Sequence, residues 1–330
     1  MTDDPQAIVP HDPALLEGVA LPRDQNPARV YLASLASSQS RRTQEQKLQV
    51  VAELLTNGRL DAFALPWALV RFQHLAAVRA ELLRRNCAPS TINRTLTATR
   101  GTLRAAWRLG QLPTDEYLRA EEVGNVTGET LLAGRDLASG ELHALFGVCD
   151  LRTATGARDA ALLALLYAAG LRREEAAALD MADYEAEHME GVGRLTVRHG
   201  KGRRQRTVYV NKGAKDALDV WLEHRGEAPG PLLVPVNKGG RVTVRRLTSQ
   251  AIYSRTKALA QRAGVRDFSP HDLRRSFVGD LLDQGVDLVT VQALAGHAKP
   301  ETTARCDRRG ERVKVAAART LHVPVRRPER

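Results

Sequence analysis

The chain has 330 residues, 43% of them hydrophobic, enough for one large or two ordinary domains with proper cores. Lys and Arg number 49 against 38 Asp and Glu, a formal net charge of +11 carried mostly by arginine, whose planar guanidinium favours phosphate-bearing partners, nucleic acid ahead of an anionic membrane surface. The longest apolar stretch, the interrupted "AALLALLYAAGL", falls short of the roughly 18 residues of a membrane span, and the acidic start "MTDDPQ" has no apolar signal segment, so a cytoplasmic globular protein with no membrane association is expected.

Residues 1 to 24, rich in Pro and Asp without periodicity, read as a poorly ordered arm. From Pro27 apolar residues recur at three- and four-residue intervals through "ARVYLASLA", "QEQKLQVVAELLTNG", "PWALVRFQHLAAVRAELLRRN" and "STINRTLTATRGTLRAAWRLG". Pro66 suits a first helical turn, Ser90 an N-cap, and Gly58 and Gly110 helix ends. The pattern predicts a helical domain over 25–123, followed by a Gly- and Thr-rich linker over 124–134. Beyond it, over 135–330, helices are expected in "SGELHALFGV", "RDAALLALLYAAG" and "RREEAAAL". "GRLTVRHGKGRRQRTVYV" reads as a β-hairpin around a Gly-Lys-Gly turn. Helices resume in "AKDALDVWLEHRG", "TSQAIYSRTKALAQRAG" and from Pro270 onward. The fold class expected is mainly α, with a small β-hairpin or sheet in the second domain.

Several basic residues of the second domain fall at element ends. Arg172 follows "AAGL", where Gly170 lets the backbone turn sharply; it is either paired structurally or presented to a ligand, and Glu175 stands three residues on to pair with or orient it. Lys201 occupies the hairpin turn, either as a solvated residue or close to a phosphate backbone that the flanking glycines let in. His271 and Arg274 share one face of a first helical turn, and His297 follows Gly296 at the end of a short apolar helix. Taken singly, each is a weak signal.

In chain order, Arg172, Lys201, His271, Arg274 and His297, set in "AAGLRREEAAALD", "HGKG", "PHDLRRSF" and "LAGHAKPETTARCD", resemble the tyrosine recombinase, or phage integrase, family of site-specific DNA recombinases. The first domain is similar to the family's core-binding domain, so the resemblance covers nearly all of the chain after the arm. It implies that Arg172 and Arg274 clamp the scissile phosphate and stabilise the charge of the in-line transition state. It further implies that Lys201 protonates the leaving 5′ oxygen, His271 assists proton removal from the nucleophile, His297 donates to the phosphate, and Glu175 braces Arg172. It calls for no metal and no cofactor, and no carboxylate cluster in the sequence has metal-site spacing.

The family's nucleophile is a tyrosine in a pattern resembling "LGHxxxxTTxxY"; in "AGHAKPETTARC" that position is Cys306. The tyrosines of this chain, Tyr31, Tyr117, Tyr167, Tyr184, Tyr209 and Tyr253, all precede it. With Cys87 and Cys149 it forms neither a disulfide framework nor a CxxC pattern. Cys306 is thus a small buried side chain, a nucleophile whose thiol the adjacent arginines Arg305, Arg308 and Arg309 acidify, or the mark of a recombinase that binds DNA but cleaves it poorly. The last reading is preferred, because a cysteine sulfur sits one bond from Cβ and falls several ångströms short of where a tyrosine oxygen would attack. A natural and an engineered substitution are equally compatible with the sequence.

The resemblance also implies a clamp of two domains around duplex DNA, and a C-terminal tail that docks on the next protomer so that a tetramer forms on DNA. Thr91, Arg94 and Arg100 in the first domain and Arg241, Arg245 and Arg246 in the second are the expected DNA contacts, each equally readable as part of a solvated charged face. A non-catalytic DNA-binding protein on the same scaffold, a repressor or accessory factor, is the alternative function. A membrane-surface protein lacks the strong basic amphipathic helix it would need.

Overall fold

The computed structural model describes residues 12–128, 134–189, 191–198 and 205–304, with Cys306, Val315 and Ala318. It divides into two compact units, 1–133 and 134–330.

The first unit is helical: α1 (Pro27–Ala33), α2 (Ser38–Thr56), α3 (Phe72–Arg84), α4 (Pro89–Arg108) and α5 (Thr114–Glu121). Leu48, Val51 and Leu55 of α2 and Ile92, Leu96 and Leu103 of α4 are fully buried and close the core with Trp67 and Leu75, as the apolar spacing requires. The left-handed residue Asn57 ends α2, and Gly110 follows α4 with φ +70°. Pro89 opens α4 at its first position after the N-cap Ala88, so the helix starts before Ser90, and Pro66 caps a short 3-10 turn, Trp67–Leu69.

Two expected boundaries move. The arm is not loose throughout, since Pro13–Leu16 forms a 3-10 turn, Leu15 is fully buried in this core, and the Val19 amide donates to the Ala64 carbonyl at 2.9 Å. One apolar residue in a Pro- and Asp-rich stretch has no periodicity to reveal it. The beginning of the expected linker is tied to α4: Asn93 accepts from the Val126 amide at 2.8 Å and donates to its carbonyl at 3.0 Å. Residues 129–133 lie outside the described residues.

The second unit carries α6 (Ser139–Gly147), α7 (Ala154–Tyr167), α8 (Arg173–Ala178), β1 (Tyr184–Met189), β2 (Val192–Val197), β3 (Arg206–Asn211), α9 (Lys212–Arg225), α10 (Ser249–Arg262), α11 (Pro270–Asp283), α12 (Leu288–Ala295) and α13 (Pro300–Ala304). Helix α7 is buried from Gly156 to Leu166 and forms the centre of the core. The hairpin supplies two strands of a three-stranded antiparallel sheet, ordered β1-β2-β3, in which Val197 pairs with Arg206 and Val192 with Asn211. Strand β1 was not expected, because "YEAEHM" has few β-branched residues and lies at the sheet edge. Among the described residues, no helix is long and apolar enough to cross a membrane.

Candidate active site

The site forms where four elements of the second unit end. After α7 the chain turns through Gly170, at φ +58°, where an added Cβ would lie 2.3 Å from the Phe277 ring. Only glycine fits that close approach, and it turns the chain so that Arg172 becomes the N-cap of α8. Arg274 projects from the first turns of α11, a helix started by Pro270 and by Ser269, whose amide donates to Asp272 at 2.7 Å. Helix α12 stops at Gly296, in the left-handed conformation at φ +64°, and presents His297.

Glu175 lies at the centre. Its side chain is 2% exposed and accepts four hydrogen bonds: the Arg172 amide at 2.9 Å, Arg172 Nη1 at 2.7 Å, and Arg206 Nη1 and Nη2 at 2.9 and 2.7 Å. Burial alone would raise its pKa, but the hydrogen bonds from Arg206 and the Arg172 amide and the charges of both arginines hold it at about 2. Arg172 Nη2 also donates to the Gly296 carbonyl at 3.0 Å, which joins the turn after α7 to the end of α12.

Arg274 is 1% exposed. Its terminal nitrogens donate to the carbonyls of Gly170 and Ala295, while its buried Nε has no partner. Burial, then the like charge of Arg172, depresses its pKa to about 9. Arg172 and Arg206 therefore share the Glu175 carboxylate, and Arg274 adds a third guanidinium within its electrostatic reach. Such a site has a standing requirement for an anion.

His297 is 9% exposed, and its Nδ1 bonds the Thr303 hydroxyl of α13 at 2.9 Å. Burial, and then Arg274 and Arg172, lower its pKa to about 4, so the ring is neutral at pH 7. His271 is an exposed residue; its pKa is also lowered, by the protein packed around the ring and then by Arg274 and Arg275. Cys306 is half-buried one turn beyond α13, near enough to interact electrostatically with Arg274, and its thiol donates to the Thr302 carbonyl at 3.6 Å. Arg172, Glu175, Arg274 and His297 thus converge, with His271 and Cys306 beside them; Lys201 lies outside the described residues. Among the described residues no cluster of His, Cys, Asp and Glu could hold a metal ion.

Arg206 belongs to this site and was not expected there. Its signal is the alternation of β3, in which Arg206 shares a face with the buried Val208 and Val210. Of the expected DNA contacts, Arg94, Arg241 and Arg245 are exposed and Thr91 is half-buried. Arg100 instead bonds Asn125 and the Val123 carbonyl. Arg246 bonds the carbonyls of Ala177 and Leu179 and pairs with Asp180.

The profile described as "Phage integrase family" matches residues 135–307. A tyrosine recombinase XerC from Bacillus licheniformis is 34% identical over 170 residues, 49% of this chain and 53% of the relative, so the chain spans about half the length of that relative. A tyrosine recombinase XerC from Mycobacterium leprae is 31% identical over 281 residues, covering 82% of this chain and 89% of the relative. Among solved structures, a lambda integrase tetramer bound to a Holliday junction superposes with a TM-score of 0.61 at 13% identity, over 92% of this chain and 78% of that one.

Proposed function

The chain belongs to the phage integrase family of tyrosine recombinases, and on that premise we propose that it binds duplex DNA and holds one phosphate of the backbone in the arginine site for strand exchange. The observation that carries this reading is the excess of positive charge: among the described residues the guanidinium groups of Arg172 and Arg206 pair with the one carboxylate of Glu175, and Arg274 stands beside them with its Nε buried and unpartnered. Arg172, 25% exposed, is the route by which a phosphate oxygen reaches the clamp. Guanidinium forks match the non-bridging oxygens and supply, without a metal ion, the charge that the in-line transition state needs.

In the family's reaction a tyrosine oxygen attacks phosphorus, a 3′-phosphotyrosyl bond forms, and the 5′ oxygen leaves with a proton. Here His271, neutral at pH 7, would take the nucleophile's proton. In the tautomer where the Thr303 hydroxyl donates to Nδ1, His297 would carry its proton on Nε2 and donate it to a phosphate oxygen. Lys201 would protonate the leaving oxygen. Cys306 stands at the nucleophile position and is too short for the attack, so this chain binds DNA and is impaired in cleavage. The same residue favours a second reading, a DNA-binding protein without catalysis on a recombinase scaffold.

Thr91, Arg94, Arg241 and Arg245 are the proposed DNA contacts; Arg100 and Arg246 serve the protein's own backbone first. Self-association into a tetramer on DNA is part of the proposal, and the fold shared with a lambda integrase tetramer bound to a Holliday junction supports it. Binding is tested with a duplex selected from a random library, against anionic vesicles, over a range of salt. We expect affinity for the duplex to fall log-linearly with salt; equal binding to vesicles would overturn the proposal.

A further inference from the structure

We infer that Arg206 is a positioning residue that acts through Glu175 on Arg172 and makes the phosphate clamp competent. The inference rests on the reading of Arg172 and Arg274 as a phosphate site and adds a residue to it.

Arg206 is the first residue of β3, and its side chain is 11% exposed. Its two terminal nitrogens take both oxygens of Glu175, at 2.9 and 2.7 Å, as a planar fork, and its Nε donates to the Leu294 carbonyl of α12 at 3.1 Å. One guanidinium therefore ties the sheet to the start of α8 and to the end of α12. Its aliphatic stem lies against Gly296, where an added Cβ would come 2.8 Å from Arg206 Cδ, and the carbonyl of that glycine receives Arg172 Nη2.

Two consequences follow. Glu175 Oε1 is shared between Arg172 Nη1 and Arg206 Nη1, so the plane of the carboxylate, and with it that of Arg172, is set by the fork on the opposite side. Arg206 also balances the carboxylate, which leaves the charge of Arg172 available to an anion. Without Arg206, Glu175 can rotate to chelate Arg172 alone, which misorients the guanidinium and neutralises it. Lysine keeps the charge but offers a single ammonium that cannot hold both oxygens.

The test titrates the full chain with orthovanadate, a phosphate-like anion, and reads the bound fraction by vanadium NMR. The variants are Arg206→Gln, Arg206→Lys, Glu175→Gln and the two double substitutions, with folding checked by circular dichroism. Arg206→Gln should weaken binding on the order of tenfold, and Arg206→Lys should lose most of that affinity despite its charge. In the Glu175→Gln background both changes should cost less than about threefold, since the residues act through one interaction. A residue serving only the fold would lower the melting temperature and leave the affinity of the folded protein unchanged. If Arg206→Gln does not fold, the lysine variant decides. Lysine binding as the parent does, or losses that multiply independently of Glu175, would overturn the inference. A parent that does not bind orthovanadate would instead overturn the phosphate-site reading, and the role of Arg206 with it.

Discussion

Replacing Glu175 with glutamine keeps the shape of the site and removes the charge of the carboxylate that Arg172 and Arg206 bond. The magnitude follows from the depressed pKa: a fall from the ordinary 4.5 to about 2, at 1.36 kcal/mol for each pH unit, makes the charged carboxylate worth ~3 kcal/mol to folding. Because the pKa is lowered in the folded state, that stability is complete above pH ~4.5 and disappears as pH falls toward about 2. Glu175→Gln should therefore be ~3 kcal/mol less stable than the parent at pH 7, and the difference should shrink through this window. Glu81 of the first unit, held at about 2 by hydrogen bonds from Arg84 and Arg85, titrates alike in both proteins and cancels. The assay is urea unfolding at a series of pH values, read by hydrogen exchange of the α7 amides at the centre of the second core. A difference that does not change between pH 7 and pH 3, or none at pH 7, would refute the reasoning.

Three further outcomes are expected. The His297 ring should titrate by NMR near pH 4 and move upward when orthovanadate binds, because the anion offsets Arg274 and Arg172; as its folded pKa lies below the ordinary 6.5, its contribution to stability is present above pH ~6.5 and lost as pH falls to about 4. Gly296→Ala, which forces a left-handed alanine against Arg206, should cost ~1–3 kcal/mol in thermal melts and lower orthovanadate affinity in step with Arg206→Gln. Thr303→Val leaves His297 Nδ1 buried without its partner and should cost ~1–3 kcal/mol, with unchanged binding to non-cognate duplex.

Most helices could be read from the sequence because their apolar residues keep a 3.6-residue period, and α2 and α4 each bury the stripe that the period marks, whereas α7, buried on every side from Gly156 to Leu166, shows as a run of Ala and Leu. Arg172, His271 and His297 stood out as candidates because each sits at an element end, close after a glycine or proline that the backbone needs there: Gly170 before Arg172, Pro270 before His271, Gly296 before His297. What stayed hidden depends on contacts distant in the chain. Arg206 is one of four arginines in a short basic stretch, "RRQR" preceded by Arg198, and looks solvated until β3 pairs with β2 and turns it inward. Arg100 and Arg246 look like DNA ligands from helix face and local charge, but the carbonyls they bond lie 23 and 67 to 69 residues away. Leu15 could not be recognised as a core residue because a single apolar side chain has no period.

We propose that a recombinase phosphate site stands intact around a nucleophile position held by Cys306. The most direct measurement uses a duplex selected by binding and nicked so that cleavage is trapped, with the parent and Cys306→Tyr side by side on a denaturing gel. A covalent protein–DNA adduct is expected with tyrosine and none with cysteine. Binding by the tyrosine protein without any adduct would contradict it, as would an adduct of the parent that thiol-specific chemistry reverses.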